Sequence, residues 1–434
     1  MADVIIRKTS ELKGEICAPP SKSYTQRMLI AAALSSGTSK ISRPLNAEDT
    51  QATLRAVKSL GAKVAVSEDQ WIVEGSKTAK SPKKPIHCGE SGATLRFMIP
   101  VAALAPHSSI FTFGPSLAKR PIEPLLRSLR QLGVEANFEN TKGKPPILVR
   151  GGGISGGKTS IPGDVSSQFI SGLMFACPFA REDTEITIST PLESKSYIQM
   201  TESILMEHGI QMNISKDYRR LRIPAKQTYN PSDHLVPGDY SSASFLLGAA
   251  AVTHSSIRVS NLEPESLQGD KAIVEIFKKM GVESKVCPDH IDLAKKNGLL
   301  EAVEVDVNDI PDLVPVCAVL ACYAKGTSGI RNAVRLKYKE SNRLLSLYLE
   351  LKKMGAEIDL NESSLTVKGP CSLHGAEIDS HNDHRIAMAC AIAALGASDE
   401  TTILNADCVR KSYPRFFTDL HTLGADVSGW EFDR

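Results

Sequence analysis

The sequence predicts an α/β protein of two similar domains, each built from three copies of one repeated unit, with buried helices inside and sheets outside. Three observations predict this fold. The chain has 434 residues, which suits two domains of about 200 residues each. An amphipathic segment that ends in glycine recurs six times along the chain. A polar loop that opens an alanine-rich apolar segment also recurs six times.

The amphipathic segments have apolar residues at helical spacing, then a glycine, then a run that alternates apolar and polar residues. A glycine in this position suits the left-handed conformation just beyond a helix end, and the alternation is typical of a strand. The glycines, 69 to 76 residues apart, are Gly61, Gly133, Gly209, Gly281, Gly355 and Gly424. Each unit therefore contains a helix that ends at a glycine, followed by a strand.

The alanine-rich segments are apolar on all sides, so we expect each of them to be a buried helix. They begin near residues 23, 92, 168, 242, 312 and 384, and a strand-like run follows each one. Two of the preceding loops are nearly identical, PGDVSS at 162–167 and PGDYSS at 237–242. Helices of this kind need burial on every side, which favours compact three-unit domains over an open solenoid.

The ends of the units predict the domain boundary. The first five units close with further strand-like runs, such as WIVEG and ILVRG, but the sixth stops at Trp430. The N-terminal stretch DVIIRKTSELKGEICAP resembles the missing piece. We therefore expect residues 21–236 to form one domain, and residues 1–20 plus 237–434 to form the other.

Composition excludes several classes of function. The net charge is +2, so no overall field attracts nucleic acid or a membrane surface, and aromatic residues at 5% leave little for stacking bases. No apolar run approaches the roughly 20 residues that span a bilayer, and the N-terminus lacks the apolar core of an export signal. The nine cysteines are odd in number and lack CxxC spacing, which argues against a disulfide framework. We expect a cytoplasmic protein.

Basic residues concentrate where helices are predicted to begin. Helix N-termini have free N–H groups and positive dipole ends, so anions are their natural ligands. One such cation alone would be interpreted as a solvated surface residue, but the set indicates a ligand with several negative charges. The members are Lys22, Arg27, Arg96, Lys119, Arg120, Lys195, Lys339, Arg343, His384, Arg385, Arg410 and Lys411.

Neutral donors and two carboxylates complete the candidate chemistry. Ser166, Ser167 and Gln168 offer neutral donors, although Ser166 alone also fits simple helix capping. Asp312 opens an apolar helix, where a capping role is the alternative. Glu340 lies among the cations of KYKESNR, where a surface salt bridge is the alternative. Near a bound substrate, either carboxylate could be tuned for proton transfer.

Metal and nucleotide motifs are weak. His381 and His384 lie three residues apart, but no third ligand has a recognisable spacing, so we expect no metal there. The sequence has no GxxxxGK[ST] run, and the glycines of 151–157 are predicted to form a loop between strands.

Short motifs spread over the whole chain resemble those of one enzyme family. They are, in chain order, PPSKSYTQR, GESGATLR, KRPIEPL, VSSQF, ESKSYI, DIPD, KYKESNRLLSL, NDHRIAMA and RKSYP. On these motifs the chain resembles the 3-phosphoshikimate 1-carboxyvinyltransferases, also called enolpyruvylshikimate-phosphate synthases. The resemblance implies a two-domain inside-out α/β barrel with the active site in the cleft between the domains.

The resemblance also implies a reaction. The enolpyruvyl (carboxyvinyl) group of phosphoenolpyruvate would move to the 5-hydroxyl of shikimate 3-phosphate by addition and then elimination of phosphate, in chorismate and aromatic amino acid biosynthesis. Asp312 would be the base on the hydroxyl, Glu340 the acid to C3, and Lys22 would stabilise the phosphate and shuttle a proton. The resemblance implies small-molecule substrates as partners, a monomer, and no metal or organic cofactor.

Two sets of substrate residues are implied by the resemblance. Those for shikimate 3-phosphate are Lys22, Ser23, Arg27, Ser166, Ser167, Gln168, Ser194, Tyr197, Asp312 and Lys339. Those for phosphoenolpyruvate are Lys22, Gly92, Arg120, Gln168, Arg343, Arg385 and Lys411. The chain departs from many members at Glu90-Ser91-Gly92-Ala93, where they read Asn-Ala-Gly-Thr, and at Arg335, where they carry asparagine.

Two alternatives come from other activities. The UDP-N-acetylglucosamine enolpyruvyl transferases usually carry a reactive cysteine in the loop that here reads GPSLAKR at 114–120, without cysteine. A non-catalytic phosphate- or RNA-binding module could use the same basic loops. The near-neutral net charge and the pair Asp312 and Glu340 weigh against such a module.

Overall fold

A computed structural model describes residues 2–76, 78–140, 143–294 and 298–432 of the chain. The chain divides into two compact units. The N-terminal unit is Pro20–Val236, and the C-terminal unit joins Met1–Pro19 to Pro237–Arg434. Each unit has its own buried hydrophobic core and mixes helices with strands, which confirms the predicted α/β class.

The described residues contain twelve α-helices and six short 3₁₀ helices. The α-helices are α1 Lys22–Leu34, α2 Glu48–Ser59, α3 Gly92–Ala102, α4 Glu123–Gln131, α5 Ser167–Ala176, α6 Lys195–Glu207, α7 Tyr240–Val252, α8 Ile273–Lys279, α9 Val314–Cys322, α10 Arg343–Lys353, α11 His384–Ala394 and α12 Phe416–Thr422. The 3₁₀ helices are Leu117–Lys119, Cys177–Phe179, Gly269–Ala272, Pro311–Leu313, Val334–Tyr338 and Ala406–Lys411.

Strands are short, between two and eight residues long. Those of the first half are β1 Val4–Ile6, β2 Lys13–Cys17, β3 Thr38–Ser42, β4 Lys63–Val66, β5 Gln70–Glu74, β6 Ile86–His87, β7 Ser109–Thr112, β8 Ala136–Phe138, β9 Ile147–Val149, β10 Gly157–Ile161, β11 Thr184–Ile188, β12 Asn213–Ile214 and β13 Arg220–Ile223. The rest are β14 His234–Leu235, β15 Ser256–Ser260, β16 Ser284–Val286, β17 His290–Leu293, β18 Leu300–Glu301, β19 Glu304–Asp306, β20 Ala324–Arg331, β21 Ile358–Asn361, β22 Ser364–Gly369, β23 Glu377–Asp379, β24 Thr401–Leu404 and β25 Val427–Ser428.

The strands form six sheets that share one plan. The first strand runs parallel to the second, and the second and third each run antiparallel to the next. In the N-terminal unit the sheets are β14-β3-β5-β4, β6-β7-β9-β8 and β10-β11-β13-β12. In the C-terminal unit they are β2-β15-β17-β16, β18-β20-β22-β21 and β23-β24-β1-β25, with β19 also paired to β20. The repeat seen in the glycine spacing is therefore one sheet plan used six times.

Three sheets are completed by strands from distant parts of the sequence. Strand β1 lies between β24 and β25, so the strand that the sixth copy of the repeat lacks comes from the N-terminus. Strand β2 runs parallel to β15. Strand β14 likewise supplies the first strand beside β3.

The apolar pattern decides which helices are buried. Every residue of α3, α7, α9 and α11 is buried, as expected for segments that are apolar on all sides. Helix α3 packs against α5 in the N-terminal unit, and α7, α9 and α11 contact one another in the C-terminal unit. The six repeat glycines all have positive φ, between 74° and 108°, which confirms that they end helices.

No helix in the described part of the chain is long and apolar enough to cross a membrane.

Candidate active site

Most of the predicted substrate residues lie at the first turn of a helix. Lys22 begins α1, Gly92 begins α3, Ser167 begins α5 and Arg343 begins α10. The residue before each start carries a side-chain oxygen that accepts a backbone N–H of the first turn: Ser21, Ser91, Ser166 and Asn342. These caps fix the helix starts, so the side chains that follow have defined positions.

In the N-terminal unit, two arginines and a glutamine meet at Gly92. A Cβ at position 92 would lie 3.2 Å from Arg120 Nη1, 3.6 Å from Arg96 Nη1 and 3.7 Å from Gln168 Oε1. Arg96 Nη1 donates to Gln168 Oε1 at 2.8 Å and to Ser166 Oγ at 3.4 Å. Two guanidinium groups thus converge on the N-terminus of a buried helix. The electrostatic potential there is strongly positive, because the helix dipole adds to the two charges. Glycine at 92 leaves them room.

The loop that carries Arg120 is fastened by Glu90. Glu90 Oε1 accepts from the backbone N–H of Ser116 at 3.2 Å, and Oε2 accepts from that of Leu117 at 2.6 Å. These N–H groups open the 3₁₀ helix Leu117–Lys119, and Arg120 is the next residue. A side chain at Gly114 would collide with the Glu90 carboxylate. The Glu90 carboxylate therefore holds the loop in place.

Arg27 links α1 to α6. Its Nε donates to Thr201 Oγ1 at 2.8 Å, while Nη1 and Nη2 donate to the carbonyls of Ser23 at 3.1 Å and Tyr197 at 3.4 Å. The guanidinium also lies over the rings of Phe97 and Tyr197, at 5.0 and 5.6 Å. Burial lowers the pKa of Arg27 to about 10, so the side chain remains charged at neutral pH.

Lys22 is held by a carboxylate of the neighbouring helix. Its Nζ lies 3.0 Å from Asp49 Oδ2, and both side chains are mostly buried. The carbonyl of Asp49 accepts from Gln26 Nε2 at 3.1 Å, so α1 and α2 are joined beside the ion pair. Sequence reasoning missed Asp49, because nothing in the local pattern separates it from the other acids at the start of an amphipathic helix.

Ser166 and Ser194 both lie at the start of a helix in the N-terminal unit but differ in backbone conformation. Ser166 caps α5, since its Oγ accepts from the N–H of Gln168 at 3.3 Å, which is the capping role that the sequence left open. Ser194 is buried at the start of α6 and has a left-handed backbone, φ 55°. The Ser194 carbonyl accepts from the N–H of Tyr197 at 3.2 Å.

In the C-terminal unit, Arg343 contacts three carboxylates. Its Nε lies 3.0 Å from Asp383 Oδ2, Nη1 lies 2.9 Å from Asp312 Oδ1, and Nη2 lies 2.6 Å from Glu340 Oε2. The Arg343 side chain is 1% exposed. Burial acts to lower the pKa of Arg343, but Asp383, Glu340 and Asp312 outweigh it and raise the pKa. The guanidinium is therefore always charged.

Asp312 is surrounded by cations. Its carboxylate lies 3.2 Å from Lys339 Nζ, 2.9 Å from Arg343 Nη1 and 3.5 Å from Arg385 Nη2. Burial acts to raise the pKa of Asp312, but Arg385, Lys339 and Arg343 outweigh it and hold the pKa well below its usual value. Asp312 is therefore ionised at neutral pH. It lies within the 3₁₀ helix Pro311–Leu313, and the residues at the N-cap positions of this helix and of α9 are Ile310 and Leu313.

Burial also separates Glu340 and Lys339 from ordinary surface charges. The Glu340 side chain is 11% exposed, so its ion pair with Arg343 is not the surface salt bridge considered from the sequence. Burial lowers the pKa of Lys339, and the charges of Arg343 and Arg335 lower it further, while Asp312 opposes them. Arg335 itself donates to the carbonyl of Asn308 at 2.7 Å.

Lys411 and Asp383 are two further buried residues of the C-terminal unit. Lys411 is buried at the end of the 3₁₀ helix Ala406–Lys411, which packs against α11. Asp383 accepts from the N–H of Arg385 at 3.0 Å and so caps α11 while it orients Arg343. Sequence reasoning gave Asp383 no role, although an aspartate directly before an apolar helix is a capping signal that could have found it.

A comparison with models of protein families shows which family the chain belongs to. The family model described as EPSP synthase (3-phosphoshikimate 1-carboxyvinyltransferase) matches residues 6–420. The chain belongs to the EPSP synthase family. This membership confirms the resemblance found in the sequence motifs and makes the protein a member of a transferase family.

Two relatives match this chain over nearly their full length. The 3-phosphoshikimate 1-carboxyvinyltransferase of Methanocaldococcus jannaschii is 42% identical over 427 residues, which cover 98% of this chain and 99% of the relative. The protein of the same name from Methanocorpusculum labreanum is 41% identical over 425 residues, with the same coverage.

Solved structures share the fold. The EPSP synthase of Acinetobacter baumannii superposes with a TM-score of 0.83 at 24% identity and covers 99% of each chain. The enolpyruvyl transferase NikO of Streptomyces tendae gives a TM-score of 0.81 at 17% identity and covers 98% of each chain. At these identities the likeness shows the EPSP synthase fold alone.

Proposed function

We propose that this chain transfers the enolpyruvyl group of phosphoenolpyruvate to the 5-hydroxyl of shikimate 3-phosphate and releases phosphate, as a step of aromatic amino acid biosynthesis. Family membership and the names of the relatives support the reaction. The observation that carries it is the buried cluster around Arg343, where two candidate proton-transfer carboxylates, Asp312 and Glu340, share one guanidinium.

The cluster suits an addition followed by an elimination. Asp312 takes the proton of the 5-hydroxyl as its oxygen attacks C2 of phosphoenolpyruvate, and Glu340 donates a proton to C3. In the second step C3 returns a proton to the ionised Glu340, the bond from C2 to the phosphate oxygen breaks, and phosphate leaves. Lys22 stabilises the leaving phosphate and shuttles a proton. The shared contact with Arg343 fixes the position of one carboxylate relative to the other.

Substrate binding itself would turn Asp312 into a better base. A carboxylate with a pKa far below neutral is ionised but accepts a proton weakly. Its low pKa comes from Arg385, Lys339 and Arg343. When anionic substrates bind these cations, they compensate the positive charge and raise the pKa of Asp312. Proton transfer would therefore become favourable only in the loaded site.

The N-terminal unit would hold the phosphate groups. The convergence of Arg120, Arg96 and Gln168 on Gly92 supports an anion site for phosphoenolpyruvate there. Shikimate 3-phosphate would use Ser166, Ser167, Gln168 and Ser194 at the starts of α5 and α6, Lys22, Ser23 and Arg27 of α1, and Tyr197. From the C-terminal unit, Arg343, Arg385 and Lys411 would contact phosphoenolpyruvate, while Asp312 and Lys339 would contact shikimate 3-phosphate.

The proposed contacts with the two substrates come from both units, and the proposed proton-transfer carboxylates, Asp312 and Glu340, lie in the C-terminal unit. We propose that residues 21–236 and residues 1–20 plus 237–434 act as two domains with the active site in the cleft between them. Each proposed step uses only side chains of this chain, so the reaction needs no cofactor. We propose that the protein works as a monomer in the cytoplasm.

The UDP-N-acetylglucosamine reaction is not favoured, because the family and the named relatives support the shikimate 3-phosphate reaction. The carboxylates Asp312 and Glu340 beside Arg343 weigh against the non-catalytic phosphate- or RNA-binding module.

Release of inorganic phosphate tests the proposal. Purified protein with phosphoenolpyruvate and shikimate 3-phosphate is expected to release phosphate continuously, and either substrate alone is expected to release none. Release with UDP-N-acetylglucosamine in place of shikimate 3-phosphate, and none with shikimate 3-phosphate, would reverse the choice of acceptor.

A further inference from the structure

A hairpin in the C-terminal unit brings three metal-binding side chains together. Strands β16 and β17 are joined by a short turn that is closed by a hydrogen bond from the N–H of Cys287 to the carbonyl of His290, 2.9 Å. Lys285 lies opposite Asp292 in this antiparallel pair. Because side chains alternate along a strand, positions 290 and 292 share a face, and Cys287 continues the opposite strand on that face.

The ligand atoms are close enough to share one ion. The thiol of Cys287, a ring nitrogen of His290 and a carboxylate oxygen of Asp292 all lie within 4.8 Å of one another, and each residue is half-buried. His290 Nε2 lies 3.5 Å from Asp292 Oδ2. Two ligands about 2.0 to 2.1 Å from a tetrahedral zinc ion lie roughly 3.3 Å apart. The pair thus already has nearly the separation that such an ion requires.

The second nitrogen of His290 is held by another carboxylate. Nδ1 lies 2.7 Å from Asp289 Oδ1. When this nitrogen carries the proton, Nε2 presents its lone pair toward Asp292 and Cys287. Metal-binding histidines usually donate their other N–H to a carboxylate in this way, which fixes the ring and raises its basicity. Asp289 would therefore be the orienting residue of the site.

We propose that Cys287, His290 and Asp292 bind a zinc-class divalent ion, with the fourth position left to water. A thiolate, an imidazole and a carboxylate suit Zn²⁺ or Co²⁺, whereas Mg²⁺ and Ca²⁺ prefer oxygen ligands alone. None of these residues belongs to the proposed catalytic or substrate sets. The ion would fasten the β16–β17 hairpin and take no part in enolpyruvyl transfer.

Neighbouring charges limit the affinity. Arg258, directly opposite Asp292 on β15, donates from Nε to Oδ1 at 2.7 Å and from Nη2 to Oδ2 at 3.1 Å. An ion must share the Asp292 carboxylate with this guanidinium, and Lys285 adds another positive charge on the other side. Glu15, opposite Arg258 on β2, compensates part of this charge.

Cobalt is a direct probe because a cobalt–thiolate bond gives a charge-transfer absorption band. Metal-free protein titrated with Co²⁺ is expected to develop this band at a ratio of one ion per chain. Cys287→Ser should abolish the band, and Asp289→Asn should weaken binding by about 10-fold through the lost orientation of His290. Arg258→Gln should tighten binding, since it removes the competitor for Asp292. Cys371→Ser, at another half-buried cysteine, is the matched control and should keep the band.

Several outcomes would overturn the site. These are the absence of a band in the unaltered protein, a band that survives Cys287→Ser, or a band lost only in Cys371→Ser. If Cys287→Ser does not fold, His290→Asn provides the same test through equilibrium dialysis against Zn²⁺. Metal-free protein is expected to release phosphate from its two substrates at the full rate, so failure of the metal site and failure of the proposed function are distinguishable.

Discussion

The buried arginines of the two candidate substrate clusters have different partners. In the N-terminal unit, Arg27 and Arg96 donate to hydroxyl groups, an amide and backbone carbonyls. In the C-terminal unit, Arg343 is paired with Asp312, Glu340 and Asp383. Neutral acceptors leave the charge of an arginine in place, whereas carboxylates compensate it. The first arrangement suits the binding of phosphate groups, and the second suits the control of proton transfer.

The largest effect is expected at Asp312. Asp312→Asn keeps the shape of the side chain but removes the proposed base, so kcat should fall by about 10² to 10⁴, with much smaller changes in substrate dissociation constants. Phosphate release under saturating substrates measures the rate, and equilibrium dialysis of shikimate 3-phosphate measures binding. Asp359→Asn, on the exposed face of β21, is the control and should keep the full rate. Full activity in Asp312→Asn would remove this residue from the mechanism.

Glu340→Gln should reduce kcat by about 10², because the amide cannot donate the proton that C3 requires. The same substitution leaves Arg343 with two of its three carboxylate partners. Exchange of deuterium from solvent into C3 of phosphoenolpyruvate separates the two consequences. Exchange should disappear with the acid, while binding of shikimate 3-phosphate persists. Unchanged exchange in the variant would contradict the assignment of Glu340.

Acid should lower the free energy of unfolding of the protein, because Asp312 of the C-terminal unit becomes protonated. Its folded pKa lies below the unfolded value of about 3.9, so the unfolded chain binds more protons between the two. The stabilisation is therefore fully present above about pH 4 and is lost as the pH falls through the folded pKa. Urea unfolding followed from pH 6 to pH 3 should show a steeper loss in the unaltered protein than in Asp312→Asn. Equal slopes would mean that the cations do not lower the pKa of this carboxylate.

A smaller effect is expected in the N-terminal unit at Glu90. Glu90→Ala removes the acceptor for the N–H groups of Ser116 and Leu117, so the loop that carries Arg120 loses its fastening. The KM for phosphoenolpyruvate should rise by about 10-fold, the equivalent of one charge-assisted hydrogen bond, with little change in kcat. Glu90→Gln, which keeps one acceptor oxygen, should recover part of the loss. Glu123→Ala, an exposed partner of Arg130, is the control. A loss confined to kcat would show that Glu90 does not act through the loop.

The repeat could be predicted because its marks are local. Glycine at each helix end and apolar residues at helical spacing are visible in any short window, and the structure has helices and strands in that order in all six units. The N-terminal strand beside β24 and β25 could also be expected, because the sixth repeated unit lacks its closing strands, but other contacts between distant residues left no such mark. Strand β14 has only two residues, His234 and Leu235, so its pairing with β3 could not be anticipated.

The same contrast between local patterns and distant contacts applies to the residues of the candidate site. Residues at helix starts could be found because each start is marked by a capping residue and an apolar run. Their partners could not be found, because Glu90 fastens a loop 26 residues away and Asp383 contacts Arg343 from 40 residues away. The cluster of Cys287, His290 and Asp292 was missed for a related reason. It depends on the pairing of two strands, which neither CxxC spacing nor the spacing of His381 and His384 would indicate.

The most direct test of the account is the pKa of Asp312 with and without substrates. The carboxyl carbon signal of this residue, assigned by its absence in Asp312→Asn, can be titrated by NMR in the free protein. A second titration would use protein saturated with shikimate 3-phosphate and a non-transferable analogue of phosphoenolpyruvate. We expect a pKa well below the usual aspartate value in the free protein and a clear rise in the loaded one. An unchanged or lower pKa in the loaded protein would contradict the claim that anionic substrates turn this carboxylate into a base.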